Sequence, residues 1–174
     1  GNKAPRGFLR VVGDSSIKIP DGHSGRLELS TWLTDVDQGA GRLAARVLAN
    51  RLWQRMLGRG LVRTVDNFGR TGETPSHPEL LEHLASRLID PASPDSRWSI
   101  KRSVREMALS GVFALDSRAT EDAVAADPDN RWLGRFAARR LEAEAIRDAM
   151  LFASGRLDPT PRGPASDDLS IARR

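Results

Sequence analysis

The longest periodic stretch of the sequence is RLAARVLANRLWQRML, which spans residues 42–57. When these residues are projected at about 100° per residue, the apolar side chains fill one arc, among them Leu48, Leu52 and Trp53. Apolar residues at this spacing, followed directly by Gly58, are typical of an amphipathic α-helix that packs against a core. The stretch therefore predicts a helical fold class.

Four further stretches show helical periodicity and are separated by turn-forming residues. In one of them Ser76 and Glu79 form a capping box, in which each side chain can bond the backbone of the other, and Ser99 can cap the next. The predicted helices cover residues 24–35, 42–57, 76–90, 99–113 and 131–154. The sequence thus predicts an all-α fold, a compact bundle of about five helices with an extended N-terminal arm and a loop-rich C-terminal tail.

Changes in composition divide the chain into three parts. Residues 1–23 contain several glycines and prolines and are predicted to form an arm or linker, whereas residues 24–158 carry the helical domain. Residues 159–174 are rich in Pro, Gly, Ser and Asp and are predicted to form a tail. Because the sequence begins without Met, we expect a fragment of a longer protein.

Composition excludes several classes of protein. The 174 residues include no cysteine, which excludes disulfide frameworks, zinc ribbons and thiol catalysis, and no apolar run approaches the ~18 residues of a membrane span. Only three of the 27 basic residues are lysines, and the net charge is a modest +4. An acid-free stretch of arginines between residues 42 and 63 could form a nucleic-acid face, but these arginines are scattered around the predicted helix without interleaved aromatic side chains. Nucleic acid is therefore the least favoured partner.

Motifs for metal binding and nucleophilic catalysis are also missing. His77 and His83 lie six residues apart and cannot share a helical face as an i,i+4 pair of ligands would, so no metal site is predicted. Arg26 stands where a nucleophile elbow around Ser24 requires glycine, and the phosphate-loop and dinucleotide fingerprints are absent. The sequence identifies no catalytic motif, and the catalytic residues stay unknown.

Arginine occupies the apolar side of two predicted helices. Arg46 projects about 20° from Trp53, and Arg139 projects about 20° from Ile146. A buried guanidinium needs a carboxylate or carbonyl partner, because an unpaired buried charge is costly. We therefore predict a hydrogen-bonded network between the two longest helices, formed by Arg46, Asn50, Arg139, Arg140, Glu144, Arg147 and Asp148. This network either fixes the helix register or forms the floor of an anion-binding or active site.

The connection between residues 61 and 74 is the second candidate region. Loops between helices often carry binding and catalytic side chains, and Asp66 and Glu73 could act there as acid or base. The same residues can also serve as turn and cap formers. The candidate binding residues are Arg46, Asn50, Asp66, Asn67, Arg70 and Glu73.

Three long runs occur in a distinctive order: SGRLELSTWLTD at 24–35, ARVLANRLWQRMLGRGLVRTVDNFGRTGETPSHPELLEHLA at 45–85 and DPDNRWLGRFAARRLEAEAIRDAMLFASGRLDP at 127–159. Together they closely resemble the planctomycete cytochrome-associated domain of unknown function 1553 family, and WSIKRSVREMALSGVF at 98–113 fits the intervening helix of that family. The resemblance spans nearly the whole chain and brings no catalytic residue with it. One departure is Val-Phe-Ala at 112–114, where the family usually has Ala-Tyr-Arg. The family also tends to continue past this point with an aromatic-containing segment, so the resemblance implies a C-terminally truncated fragment.

The resemblance implies a module of large exported proteins, which follows another planctomycete domain and often accompanies a haem-binding cytochrome c-like domain. Adjacent domains of the same polypeptide are then the expected partners, and the expected location is extracytoplasmic. The chain carries no CxxCH motif, so we expect no cofactor in it and expect haem only on a separate domain.

We therefore expect an uncharacterised helical module for binding or assembly. The alternative is a hydrolase-type enzyme domain that acts on an anionic polymer such as a polysaccharide, with Asp66, Glu73 or Glu144 as acid or base. Nucleic-acid binding is the second alternative. A cleft that holds these charged groups together would favour the enzyme.

Overall fold

The computed structural model describes residues 6–13, 17–92 and 97–159. Within these ranges the chain forms α-helices and no β-strand, which confirms the predicted all-α fold class. The helices are α1 Arg26–Thr34, α2 Gly41–Leu57, α3 Pro78–Leu88, α4 Ile100–Ala108, α5 Glu121–Ala126 and α6 Ala143–Ala153. Across these ranges, no helix combines the length and the apolar character that crossing a membrane requires. Nearly all of the predicted tail lies outside the described residues.

Helix α2 is the centre of the core. It contacts α1, α3 and α4, and its buried face includes Ala49 and Trp53. Leu81 and Leu88 of α3 and Met107 of α4 are buried in the same cluster. The apolar arc of residues 42–57 thus faces three neighbouring helices, as an amphipathic stripe requires.

The helix starts follow the predicted capping residues only in part. Ser99 caps α4, because its hydroxyl accepts from the N–H of Arg102 at 3.3 Å. The capping box predicted for α3 is wrong, since His77 takes the N-cap position without a side-chain bond. Ser76 instead donates to the main-chain oxygen of Leu61, through its N–H at 2.8 Å and its hydroxyl at 3.3 Å, so the side chain anchors a loop.

The helix predicted over 131–154 is only half present, because α6 begins at Ala143. In residues 127–135 the side chains of Asp127 and Asn130 bond the backbone in place of helical partners, which is how Asp and Asn compete with a helix. Asp127 accepts from the N–H groups of residues 131 and 132, both at 2.8 Å. Asn130 and Leu133 have φ of 51° and 56°, and this left-handed backbone cannot continue a right-handed helix.

Residues 109–126 also differ from the prediction. Helix α4 ends at Ala108 instead of Phe113, and the following backbone forms shorter-range bonds such as Phe113 N–H to the oxygen of Ser110 at 3.1 Å. The short helix α5 lies in a stretch without a predicted helix. Its N-cap is Thr120, whose hydroxyl accepts from the N–H of Ala123 at 3.3 Å.

Residues 6–13 lie against α1. Arg6 donates to the main-chain oxygens of His23 and Ser24, at 2.7 and 2.6 Å. The ring of Phe8 stacks on Trp32 with centroids 5.3 Å apart. Phe8 of the predicted arm therefore packs on α1, and Arg6 bonds the backbone just before that helix.

The chain divides into two compact units, Gly1–Ala137 and Ala138–Arg174. The first contains α1 to α5 and the core described above, and the second contains α6. The domain bounds predicted from composition stay a prediction.

Candidate functional site

Asn50 ties the connection after α2 back onto that helix. The side chain is fully buried, with 0% of its surface exposed. Its Nδ2 donates to the main-chain oxygen of Val62, and its Oδ1 accepts from the N–H of Val62, each at 2.9 Å. Because the amide satisfies both backbone groups of one loop residue, it fixes the loop as a β-ladder partner would.

Gly60 allows this close approach. A Cβ at this position would lie 2.5 Å from the oxygen of Val62 and 2.9 Å from Nδ2 of Asn50. No side chain fits there, so the sequence Arg-Gly-Leu-Val at 59–62 folds tightly over α2. Leu61 and Val62 are buried in consequence, with 2% exposure each.

The second half of the connection is held by its own polar side chains. The Thr64 hydroxyl donates to the main-chain oxygen of Asn67 and accepts from the N–H of Glu73, each at 2.9 Å. The side chain of Asn67 donates to Thr71 Oγ1 at 3.0 Å and accepts from the N–H of Gly69 at 3.2 Å. Thr64 and Asn67 therefore hold the turn that presents Glu73.

A second loop, residues 127–135, is equally fixed. Besides the two bonds from Asp127, Asn130 donates to the oxygen of Arg135 at 2.7 Å and accepts from its N–H at 3.2 Å. The Arg135 guanidinium donates to the main-chain oxygens of Asp127 and Pro128, at 3.0 and 2.9 Å. The loop is a closed set of hydrogen bonds, which keeps its backbone in one conformation.

The charge of Asp127 contributes to this loop. Burial of the Asp127 carboxylate acts to raise its pKa, but the N–H groups of Trp132 and Arg131 and the positive charges of Arg135 and Arg131 outweigh it, so the pKa lies below its ordinary value. The ionised form is therefore the form that holds the loop.

We expect the free energy of unfolding of the Asp127→Asn variant to fall less as the pH is lowered into the acid range. Because the folded-state pKa of Asp127 is below the unfolded value of about 3.9, its contribution is present above that value and is lost as the pH falls through the folded-state pKa. Urea midpoints should then fall less steeply below about pH 4 in the variant. Asp122→Asn, an exposed change on α5, is the control and should keep the slope of the unchanged chain; equal slopes in all three proteins would contradict this role for Asp127.

The two loops meet over α2 and form a cleft. The buried Trp53 and Leu61 form its base, and Arg59, Arg63 and Asp129 also line it. Nη1 of Arg59 donates to the main-chain oxygen of Asp129 at 2.8 Å and lies 3.8 Å from Oδ1, while Nη1 of Arg63 lies 3.4 Å from Oδ2. The cavity volume is about 40 Å³, which is room for about three waters or one small anion.

Most of the remaining lining residues are polar, apart from Gly60 and Leu133. Glu73, Thr74 and Ser76 come from the first loop, and Arg131 comes from the second. The Arg131 guanidinium forms no hydrogen bond or close ion pair with any residue of the described ranges, although its charge acts on Asp127. Three arginines and two carboxylate residues thus line one cleft, and an anionic group there would meet in Arg131 a cation that no described residue engages.

The residues singled out from the sequence are not gathered in this cleft. Glu73 lines it, and Asn50 lies beneath the first loop. Asp66 is 91% exposed and pairs with Arg51 at 3.0 Å, outside the cleft lining. Asn67 holds the turn, and Arg70 is exposed on the same loop.

Arg46 projects from α2 toward α3. Its Nε lies 2.8 Å from Oε1 of Glu82, with the two side chains 39% and 59% exposed. The Nε atom itself is inaccessible to solvent and the contact lacks hydrogen-bond geometry. Within the first unit, then, the partner of Arg46 is a carboxylate of α3.

The other members of the predicted network belong to the second unit: Arg139, Arg140, Glu144, Arg147 and Asp148. Arg139 and Arg140 precede α6, so the helical spacing that linked Arg140 to Glu144 does not apply. Nη1 of Arg147 lies 3.6 Å from Oδ1 of Asp148. The network between the two longest helices stays a prediction.

The cleft residues missed from the sequence are Arg59, Arg63, Asp129 and Arg131. Arg59 and Arg63 belong to the acid-free stretch, and the Asp-Pro-Asp-Asn turn contains Asp129, but no local pattern indicates that these segments meet. In the described part of the chain, no group of three or more His, Cys, Asp or Glu side chains could hold a metal ion.

Comparison with known proteins gives one family. The family model described as "PSD1: Protein of unknown function (DUF1553)" matches residues 25–171. Neither the curated proteins nor the solved structures contain a significant match. The matched range includes every residue that lines the cleft.

Proposed function

Since the chain belongs to the family of proteins of unknown function DUF1553, we propose that it is a helical binding module whose first unit binds an anionic group in the cleft. The observation that carries this proposal is the gathering of Arg59, Arg63 and Arg131 at one cleft. Asp129 engages the first two, and no residue of the described ranges engages the guanidinium of Arg131.

The cleft supports binding because its parts are already in place. A guanidinium offers donors in a planar fork that matches a carboxylate or sulfate, and Asp129 holds two of these forks. Both loops are fixed by internal hydrogen bonds, so a ligand meets little cost of ordering them. The base of the cleft is apolar, which strengthens charge-assisted bonds above it.

The enzyme alternative rests on one residue of the cleft. Glu73 lines it beside Thr74 and could serve as acid or base. The two other carboxylates considered for catalysis lie elsewhere, Asp66 in an exposed ion pair and Glu144 in the second unit. A binding role accounts for the arginines without requiring a second catalytic group.

Sulfate is the simplest probe of the cleft. We expect Arg131→Gln to raise the dissociation constant for sulfate by about tenfold, because the variant loses a charge-assisted donor. An NMR titration of arginine N–H signals at constant ionic strength measures this. The control is Arg105→Gln, which removes an exposed arginine of α4 outside the cleft and should bind sulfate as the unchanged chain does.

Glu73→Gln separates the two functions. In a binding module the variant should bind sulfate several-fold more tightly, because a carboxylate that repels the anion is gone. In a hydrolase it should abolish turnover of the polymer instead.

Equal sulfate binding by Arg131→Gln and the unchanged chain would refute the anion-binding proposal.

The sequence resemblance supports a proposal about the cellular location of the module and its neighbouring domains. We propose that it works within a large exported polypeptide, extracytoplasmically, with the adjacent domains as partners and with haem on a separate cytochrome c-like domain. The support is the match of the three runs at 24–35, 45–85 and 127–159 to that family. Cell fractionation and the haem absorbance of the intact polypeptide test this part.

A further inference from the structure

Trp132 differs from the other tryptophans in its exposure. It is 71% exposed, whereas Trp32 and Trp53 are 5% and 3% exposed and Trp98 is half-buried. Burying an indole would stabilise the fold by about 25 cal/mol per Å² of apolar area, and an exposed indole does not make this contribution. Packing of the fold therefore does not explain why a tryptophan occupies this exposed position.

The backbone beneath this ring is rigid. The N–H groups of Arg131 and Trp132 both donate to the Asp127 carboxylate at 2.8 Å, and Asn130 closes the loop onto Arg135. Leu133, directly after the tryptophan, has φ of 56°, a left-handed conformation that is unfavourable for a branched side chain. Such strain is typical of segments that present a functional side chain.

The ring is next to the cleft in the chain, because both of its neighbours, Arg131 and Leu133, line the cleft. We propose that the cleft and the Trp132 indole together form a binding site for an acidic saccharide. This inference rests on the proposed anion-binding function. The carboxylate or sulfate of one sugar binds Arg131, and the C–H face of a neighbouring sugar lies on the indole.

The chemistry of the lining favours a sugar. A sugar carries hydroxyl groups that both donate and accept, and the cleft offers acceptors on Glu73 and Asp129 as well as a hydroxyl on Thr74. The negative face of the indole attracts the partial positive charge of sugar C–H groups. A ligand with one anionic group and several hydroxyls thus finds a partner for each.

The same lining disfavours nucleic acid. A strand carries a phosphate at every nucleotide, and the carboxylates of Glu73 and Asp129 repel phosphates along the cleft. Single-strand binding also uses several aromatic side chains in series, whereas one exposed tryptophan lies at this site. An acidic saccharide spaces its charges more widely and tolerates both carboxylates.

The test uses hexasaccharides of galacturonate and of chondroitin sulfate, neutral maltohexaose, a thymidine oligonucleotide and free sulfate. Because Trp132 is far more exposed than Trp32 and Trp53 and more exposed than the half-buried Trp98, it should account for most of the quenching by acrylamide, and bound saccharide should protect it. We expect Trp132→Ala to weaken acidic-saccharide binding by at least about tenfold, and Arg131→Gln to weaken it similarly. Leu109→Ala, a change of a similarly exposed apolar residue (74%) outside the cleft lining, should have no effect.

The outcomes separate the inference from the function on which it rests. Arg131-dependent binding of sulfate, with acidic saccharides no tighter than maltohexaose or insensitive to Trp132→Ala, overturns the saccharide inference and keeps the anion-binding function. Binding of sulfate and saccharide that ignores Arg131→Gln overturns both. Tighter binding of the oligonucleotide, dependent on Trp132 and steeply weakened by salt, replaces the saccharide by nucleic acid. Preference between the two acidic hexasaccharides identifies the anionic group.

Discussion

Replacing Asn50 by leucine is expected to lower the free energy of unfolding by about 2–6 kcal/mol. The variant keeps a side chain of similar size but leaves the N–H and the oxygen of Val62 without partners in a buried place, and each orphaned group costs about 1–3 kcal/mol. Urea unfolding at neutral pH, analysed with a common slope, measures the difference.

Arg46→Leu is the matched control on the same helix. Its ion pair with Glu82 is partly exposed on both sides, and such pairs contribute about 0–1 kcal/mol. The two variants should therefore differ by several-fold in their cost. If Asn50→Leu unfolds at the urea concentration of the unchanged chain, the Asn50 amide does not hold the connection as described.

Trp53→Ala is expected to cost about 3–5 kcal/mol, the usual range for removing a large aromatic side chain from a core. Trp53 lies on the buried face of α2, contributes to the core cluster and also forms the base of the cleft. Thermal and urea unfolding should both report the loss, and the cleft should bind sulfate more weakly because its base is gone.

Trp132→Ala is the same chemical change at an exposed position, and it should alter stability by no more than about 0.5 kcal/mol. Trp53→Ala should therefore lower the free energy of unfolding, whereas Trp132→Ala should weaken acidic-saccharide binding and leave the free energy of unfolding nearly unchanged. A cost for Trp132→Ala near that of Trp53→Ala would mean that the exposed indole is part of the packing, which would remove the basis of the saccharide inference.

Local patterns predicted the helices that pack by one regular face. Residues 42–57 and the stretch around Leu81 and Leu88 show an apolar stripe, and both form helices in the core. The cap at Ser99 was predictable for the same reason, because it depends on neighbours within one turn. Such features are decided by residues close in sequence.

The helix predicted from the apolar spacing of residues 131–154 is absent before residue 143. Side chains of residues 127–135 form hydrogen bonds with the backbone there instead. The apolar spacing from Trp132 to Phe136 suits a helix, but Asp127 and Asn130 bond the same N–H and carbonyl groups that a helix would use. Arg46 likewise projects onto the apolar arc, yet its long side chain reaches Glu82 on α3. A helical wheel shows the residues of one helix only, so it cannot show a partner on α3 that a long side chain reaches.

The cleft itself depends on a meeting of distant segments. Of its charged residues, only Glu73 was among the candidates, since a loop carboxylate is visible in the sequence. The pairing of Arg59 with Asp129 joins residues 70 positions apart, and no local rule of propensity or spacing contains that information.

This long-range pairing makes the cleft a reporter of the folded state. The unfolded chain has no such constellation, because Arg59 and Asp129 are then far apart and mobile. By mass action, a ligand that binds only the folded form raises its stability by about 2.7 kcal/mol when present at a hundred times its dissociation constant. Melting temperature alone can therefore rank unknown ligands of this protein, before any activity assay exists, and Arg131→Gln shows which of them use the cleft.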